Sequence, residues 1–205
     1  MTRRSILLLL SIFISTLSLG QKLGDYYVSI PSDSTLNCRL RFLSDSTVEL
    51  SNVPRHMGGR LTMAFKYTKT ETTIEILPGL LTKQDSLSLN AFGLNYFIKP
   101  VIRLTKIDGG FIDYSKSLIY LRQKDFGDNP DVAYIVDGKI FIQDVGVTDG
   151  YGLIKKNPST NKALQKKLKG VNKDNCTIEI VRGLEAYKRY GIKRVYGVVV
   201  ITTKQ

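Results

Sequence analysis

Leu36-Asn37-Cys38-Arg39-Leu40-Arg41-Phe42 alternates apolar and polar side chains without a break. This is the pattern of a strand with one face in a core and the other in water. Leu61, Met63, Phe65 and Tyr67 repeat it, Ile74 and Ile76 carry it into a third segment, and Leu87 with Leu89 outlines a fourth. Tyr96, Ile98, Ile102 and Leu104 read as a longer strand bent at Pro100, where the ladder lacks a donor. Leu118, Tyr120 and Arg122 form the last. Turn residues separate these runs at Ser44-Asp45-Ser46, Pro54 to Gly59, Pro78-Gly79 and Asp108-Gly109-Gly110. No run between residues 25 and 125 has the i, i+3, i+4 apolar spacing of a long helix. The expectation is an antiparallel meander, closed as a small sandwich or a small barrel.

Past the polar connection Asp125 to Asp131 the rhythm changes. Tyr134 to Val136 reads as a strand that turns at Asp137-Gly138 and returns through Ile140 to Ile142. Ser159 or Thr160 is placed to cap a helix from Asn161 to Lys169, with Leu164 and Leu168 on one face and Gly170 as its stop. Thr177 to Val181 is a strand. Gly183 to Tyr190 is a helix that Gly191 ends in a left-handed conformation, and Val198 to Thr203 reads as a fully buried strand. The fold class expected is therefore α+β, with an antiparallel β-domain over residues 25–125 and a small α/β module over 130–205.

Four motifs in this second part occur in order: Ile135-Val136-Asp137-Gly138, Ile178-Glu179-Ile180-Val181-Arg182-Gly183, Glu185-Ala186 with Tyr190-Gly191, and Gly197 to Lys204. Together, from Val132 to Lys204, they resemble the plug domain of TonB-dependent outer-membrane receptors. The resemblance implies a plug-like α/β module and a cell-envelope setting. Arg194 stands where the family has the middle glycine of a GxxGxxG run. The chain also ends where such a receptor would begin its barrel, so the expectation is a stand-alone plug-like module and no transporter.

The N-terminus fits that setting. Arg3 and Arg4 precede an apolar run from Ile6 to Leu19, and Ser18-Leu19-Gly20 supplies small residues for cleavage before Gln21. Residues 1–20 read as a secretory signal, shorter than the roughly 20 apolar residues of a spanning helix. The expected product is exported, with no transmembrane segment after signal cleavage. Its expected location is the periplasm, with extracellular or outer-membrane-associated sites as alternatives.

Composition adds charge. Thirty basic residues against 18 acidic ones give a net charge of +12, which attracts polyanions such as nucleic acid, acidic headgroups or acidic glycans. Lys155, Lys156, Lys162, Lys166, Lys167, Lys169 and Lys173 crowd one stretch. On the expected helix, Lys162, Lys166, Lys167 and Lys169 project opposite Leu164 and Leu168. These four form the candidate docking surface for an acidic envelope protein or an anionic glycolipid, set against the plain alternative of a solvated helix face. Aromatic residues are not interleaved and arginine is sparse there, which argues against sequence-specific nucleic-acid binding.

Catalytic and metal chemistry find no constellation. His56 is the single histidine and has neither a Cys-x-x-Cys partner nor a G-x-S-x-G serine. Asp108-Gly109-Gly110 and Asp149-Gly150-Tyr151-Gly152 lack the spacing of phosphate cradles. Asp125, Asp128 and Asp131 lack the glutamate and length of a calcium loop. Glu179 and Glu185 read as structural, and Cys38 and Cys176 as buried free thiols in separate cores. No catalytic, metal or cofactor residue is assigned. The functional expectation is a non-enzymatic exported envelope protein acting as a binding or protein–protein interaction module. The alternative is a β-barrel carrier of a small apolar ligand or lipid.

Overall fold

The computed structural model describes residues 22–31, 38–53, 59–126, 132–144, 147–148, 154–156, 159–172 and 174–204. The N-terminal stretch read as a signal, His56, Asp128, Asp131 and the Asp149 to Gly152 stretch lie outside them.

Eight antiparallel strands form the first part: β1 (Tyr26–Pro31), β2 (Cys38–Phe42), β3 (Thr47–Asn52), β4 (Thr62–Lys69), β5 (Thr73–Leu77), β6 (Ile102–Ile107), β7 (Gly110–Asp113) and β8 (Leu118–Arg122). Each pairs with the next, and β1 pairs with β8 from Tyr27 opposite Arg122 to Pro31 opposite Leu118, so the sheet closes into a barrel. Of the sandwich and the barrel, the barrel forms. Closure removes the exposed edges that an open meander would leave.

Alternation decides what enters the barrel. Cys38, Leu40 and Phe42 point in from β2, while Arg39 and Arg41 stay outside and lie over the ring of Tyr26, 5.9 and 5.2 Å from its centroid. Inside, Phe42 meets Tyr27, Tyr67 and Phe111 at centroid separations of 5.7, 5.1 and 5.4 Å. Edge-to-face and tilted contacts of this kind fill the interior with rings.

The run from Leu87 to Leu89, and that from Tyr96 to Ile98, are not strands. Lys83–Ala91 is a helix, α1, and Asn95–Ile98 a 3-10 turn. Thr82 caps α1, accepting from the Asp85 N–H at 3.1 Å while Asp85 Oδ2 accepts from the Thr82 N–H at 3.0 Å. The segment between β5 and β6 thus covers one barrel end, inserting Leu89, Leu94, Tyr96 and Phe97 into the core. Phe97 stacks on Phe65 at 6.2 Å.

The β8 sequence Leu-Ile-Tyr-Leu-Arg is apolar nearly throughout because both its faces are covered. Leu118 and Tyr120 face the interior, while Ile119 and Leu121 join Ile30 and Ile112 on the outer wall. A short helix, α2 (Gln123–Phe126), follows.

The expected plug-like α/β module is corrected. The second part is a four-stranded sheet of β10 (Lys139–Gln143), β9 (Val132–Val136), β14 (Val198–Thr203) and β13 (Cys176–Val181), in that order, so the chain as described is mostly β. Only β9 and β14 run parallel; β10 pairs antiparallel with β9 and β13 antiparallel with β14. A separate two-stranded piece joins β11 (Val147–Thr148) to β12 (Ile154–Lys156).

Two helices serve this region, and they pack on different partners. The α3 helix (Lys162–Leu168) lays Leu164 and Leu168 over Val136, Phe141, Cys176 and Ile201. The α4 helix (Gly183–Tyr190) presses Leu184 onto the barrel's outer wall at Ile30, Ile112, Ile119 and Leu121, joined by Val195. Barrel and C-terminal segment thus share a core. Gly191 ends α4 at φ 77° and ψ 177°, an extended mirror conformation open to glycine, not the left-handed one expected. The β14 strand is not fully buried, for Thr202 is exposed. Cys38 and Cys176 are both buried and free, each in its own core.

Candidate functional site

The turn Asp137-Gly138 joins β9 to β10, and both of its residues have positive φ, 48° and 79°. Such a turn matches the twist of the flanking strands. It brings Lys139 back beside Val136 and sets Phe141 on the same face two residues later. Above that face, α3 starts from Asn161, whose side chain accepts from the Leu164 N–H at 3.0 Å. The cap therefore falls one residue after Thr160.

Between the turn and the helix lies a concavity of about 590 Å³ lined by Val136, Asp137, Lys139, Phe141, Ala163, Lys166 and Lys167. Its floor is apolar and its rim carries three lysines against one aspartate.

Asp137 is fully engaged. Its Oδ1 accepts from the Thr203 N–H at 2.8 Å and from the Thr203 hydroxyl at 3.0 Å, and Lys167 Nζ lies 2.9 Å from Oδ2. The backbone donor of Thr203, then Lys167, then the hydroxyl hold the carboxyl well below the usual range, at about 2. Lys167 is thereby matched by one charge. Lys139 sits 5.5 Å from the Phe141 ring centroid, and neither it nor Lys166 has an ion-pair partner among the described residues. The pocket therefore offers two uncompensated ammonium groups beside an apolar floor, an arrangement suited to an anionic group attached to something apolar.

Of the four lysines marked in the sequence, Lys166 and Lys167 line this pocket, while Lys162 and Lys169 stand exposed at the two ends of α3 and do not. Lys139 and Phe141 escape a search by local charge density because they lie more than twenty positions from the helix. The signal for them is the tight turn, which folds β10 back under α3.

Other acidic motifs resolve as structure. Asp125 accepts from the Arg122 Nε at 2.6 Å. Arg189 bridges Glu179 at 2.9 Å and Glu185 at 2.6 Å, so both glutamates serve one ion-pair cluster between β13 and α4. No group of three or more His, Cys, Asp or Glu suited to a metal occurs among the described residues. Among the same residues no helix is long and apolar enough to cross a membrane.

Inside the barrel end capped by the 3-10 turn lies a buried polar cluster. Asp113 Oδ1 accepts from the Ser115 N–H at 2.8 Å, the Ser115 hydroxyl at 2.7 Å and the Lys116 N–H at 3.2 Å, and its Oδ2 accepts from the Tyr96 hydroxyl. Nearby, the Cys38 thiol lies 3.8 Å from the Tyr120 hydroxyl. Burial pushes this thiol up to about 11. The Asp113 donors come from the β7–β8 turn and from the 3-10 turn, so this carboxylate latches the barrel end.

The chain matches no protein-family model, no curated protein and no solved structure.

Proposed function

We propose that this protein is a non-enzymatic binding module that receives an acidic group of a partner in the pocket formed by the β9–β10 turn and α3. One observation carries the reading: Lys139 and Lys166 flank an apolar floor without carboxylates of their own among the described residues, while Lys167 is held in place by Asp137. An anionic group there would gain two charge-assisted contacts, and its apolar neighbour would cover Val136, Phe141 and Ala163. We place this activity in the envelope after export, on the strength of the signal-type N-terminus and the motif resemblance from Val132 to Lys204.

The barrel-carrier alternative draws on the closed barrel itself. Against it stand the ring contacts of Phe42 with Tyr27, Tyr67 and Phe111, which occupy the space a ligand would need. Eight strands enclose about enough room for side chains or one small ligand.

The test is titration of the full chain with dodecyl phosphate below its micelle concentration, followed by NMR. Shifts confined to Lys139, Phe141 and Lys166, weakening as salt rises, are expected, and Lys139→Glu with Lys166→Glu should abolish them. A dodecyl maltoside titration serves as the neutral reference. Equal response to the neutral amphiphile, or shifts in barrel-interior residues instead, would overturn the reading.

A further inference from the structure

The barrel has no free edge, but the four-stranded sheet has two. The β10 edge opens with Lys139, a charge of the kind that discourages strand addition. The β13 edge carries one charge, Glu179, and Arg189 already pairs it at 2.9 Å. Its Asn175 carbonyl accepts from the Lys204 N–H on the β14 side at 2.8 Å, so along the strand Thr177, Glu179 and Val181 bond to β14. The N–H and C=O groups of Cys176, Ile178 and Ile180 therefore point out of the sheet. Among the described residues Ile178 and Ile180 hold no hydrogen bond there. The two residues are 56% and 68% exposed, with side chains on the face that carries Val199 and Ile201.

We infer that β13 pairs edge to edge with β13 of a second copy of this chain, antiparallel, with Ile178 opposite its own mate. Two arguments select a second copy. The first is charge. Copies with a net charge of +12 repel one another over most of their surface. On β13 the single ionised side chain is Glu179, and Arg189 already lies 2.9 Å from it. The approach there is compensated.

The second is self-complementarity. With Ile178 opposite Ile178, Cys176 falls opposite Ile180 in both directions, so all three outward-facing residues of each strand meet outward-facing residues of the other. On the opposite face Thr177 meets Glu179. Sliding the pair by two residues would set Glu179 against Glu179, a destabilising like-charge pair. Exposed isoleucines from both copies then cover one another on one face. The contact is small, so the dimer is weak and concentration-dependent, with dissociation in the range of about 10–500 μM.

This inference does not depend on the lysine-rimmed pocket. Its test is sedimentation equilibrium of the full chain over a concentration series up to about 1 mM. The mass is expected to climb toward twice the monomer. Ile178→Pro removes an outward N–H without breaking the β13–β14 ladder, and Ile178→Lys with Ile180→Lys sets charge against charge; each should hold the chain monomeric with an unchanged far-UV spectrum. If the proline variant loses its fold, the lysine pair decides. Ile140→Lys, on the other edge, should leave the dimer intact. A wild-type monomer at the highest concentration, a dimer that survives the lysine pair, or one lost through Ile140→Lys alone would each overturn the inference.

Discussion

Lys167 Nζ stands 2.9 Å from Asp137 Oδ2, which ties α3 to the turn between β9 and β10 and so sets the width of the pocket. The Asp137 carboxyl is held at about 2, chiefly by the Thr203 backbone donor. A depressed carboxyl stabilises the fold above its ordinary pKa and loses that contribution as pH falls through the folded value. The melting temperature should therefore drop between about pH 4 and pH 2. In Asp137→Asn it should start lower at neutral pH and fall less, the two curves converging at the acid end. Parallel curves across that range would show the carboxylate to be without effect.

Tyr96 and Asp113 join the 3-10 turn to the β7–β8 hairpin from opposite sides of a buried barrel end. Burial, and then the Asp113 carboxylate, raises the Tyr96 hydroxyl above the usual phenol value. Tyr96→Phe leaves one buried carboxylate oxygen short of a donor and should cost about 1–3 kcal/mol in urea unfolding. Asp113→Ala forfeits the turn bonds as well and should cost more than Tyr96→Phe. The reverse order would separate the latch from the turn.

Phe111 contacts Tyr27 at 4.9 Å and Phe42 at 5.4 Å, centroid to centroid, in the barrel core. Phe111→Ala should cost about 3–5 kcal/mol and leave a cavity. If the barrel is solid, the wild type should not enhance the fluorescence of an apolar dye, whereas the variant should. Strong dye binding by the folded wild type would instead favour the carrier reading.

Gly110 opens β7 opposite Leu121, and a Cβ there would collide with the Tyr120 backbone carbonyl, which cannot swing aside. Gly110→Ala should destabilise the chain by about 2–4 kcal/mol. Gly138→Ala costs through its φ of 79° alone, with open space around it. It should fall nearer about 1 kcal/mol. Thermal melts of the two variants compare crowding with backbone strain.

Period-two alternation makes β2, β4, β5 and β8 legible in the sequence. Closure was not legible, because the pairing of β1 with β8 depends on residues about ninety positions apart. The α1 helix was hidden by Leu87 and Leu89, whose spacing of two imitates a strand. Its one local marker is Thr82 with Asp85, a capping box that uses aspartate in place of the commoner glutamate. The C-terminal motifs located β9, β13, α4 and β14 correctly as elements. They misled about layering, because a helix's apolar face does not say which sheet will cover it, and α4 turned to the barrel. At the candidate site Lys166 and Lys167 stood out by density. Lys139 needed the geometry of a turn.

The shared core under α4 bears on how the chain comes to be folded. The barrel's topology is complete once β8 has been synthesised, yet Ile30, Ile112, Ile119 and Leu121 are covered by Leu184 and Val195, with Tyr187, Ile192 and Tyr196 beside them, some sixty or more residues later. In that interval a closed barrel carries a bare apolar stripe along the very seam where its first and last strands meet. Such a species is prone to stick to others like it. A chain cut before residue 183 should therefore behave worse than its tidy barrel promises. Ribosome stalling within that window should reveal a long-lived intermediate that the last turn of synthesis resolves.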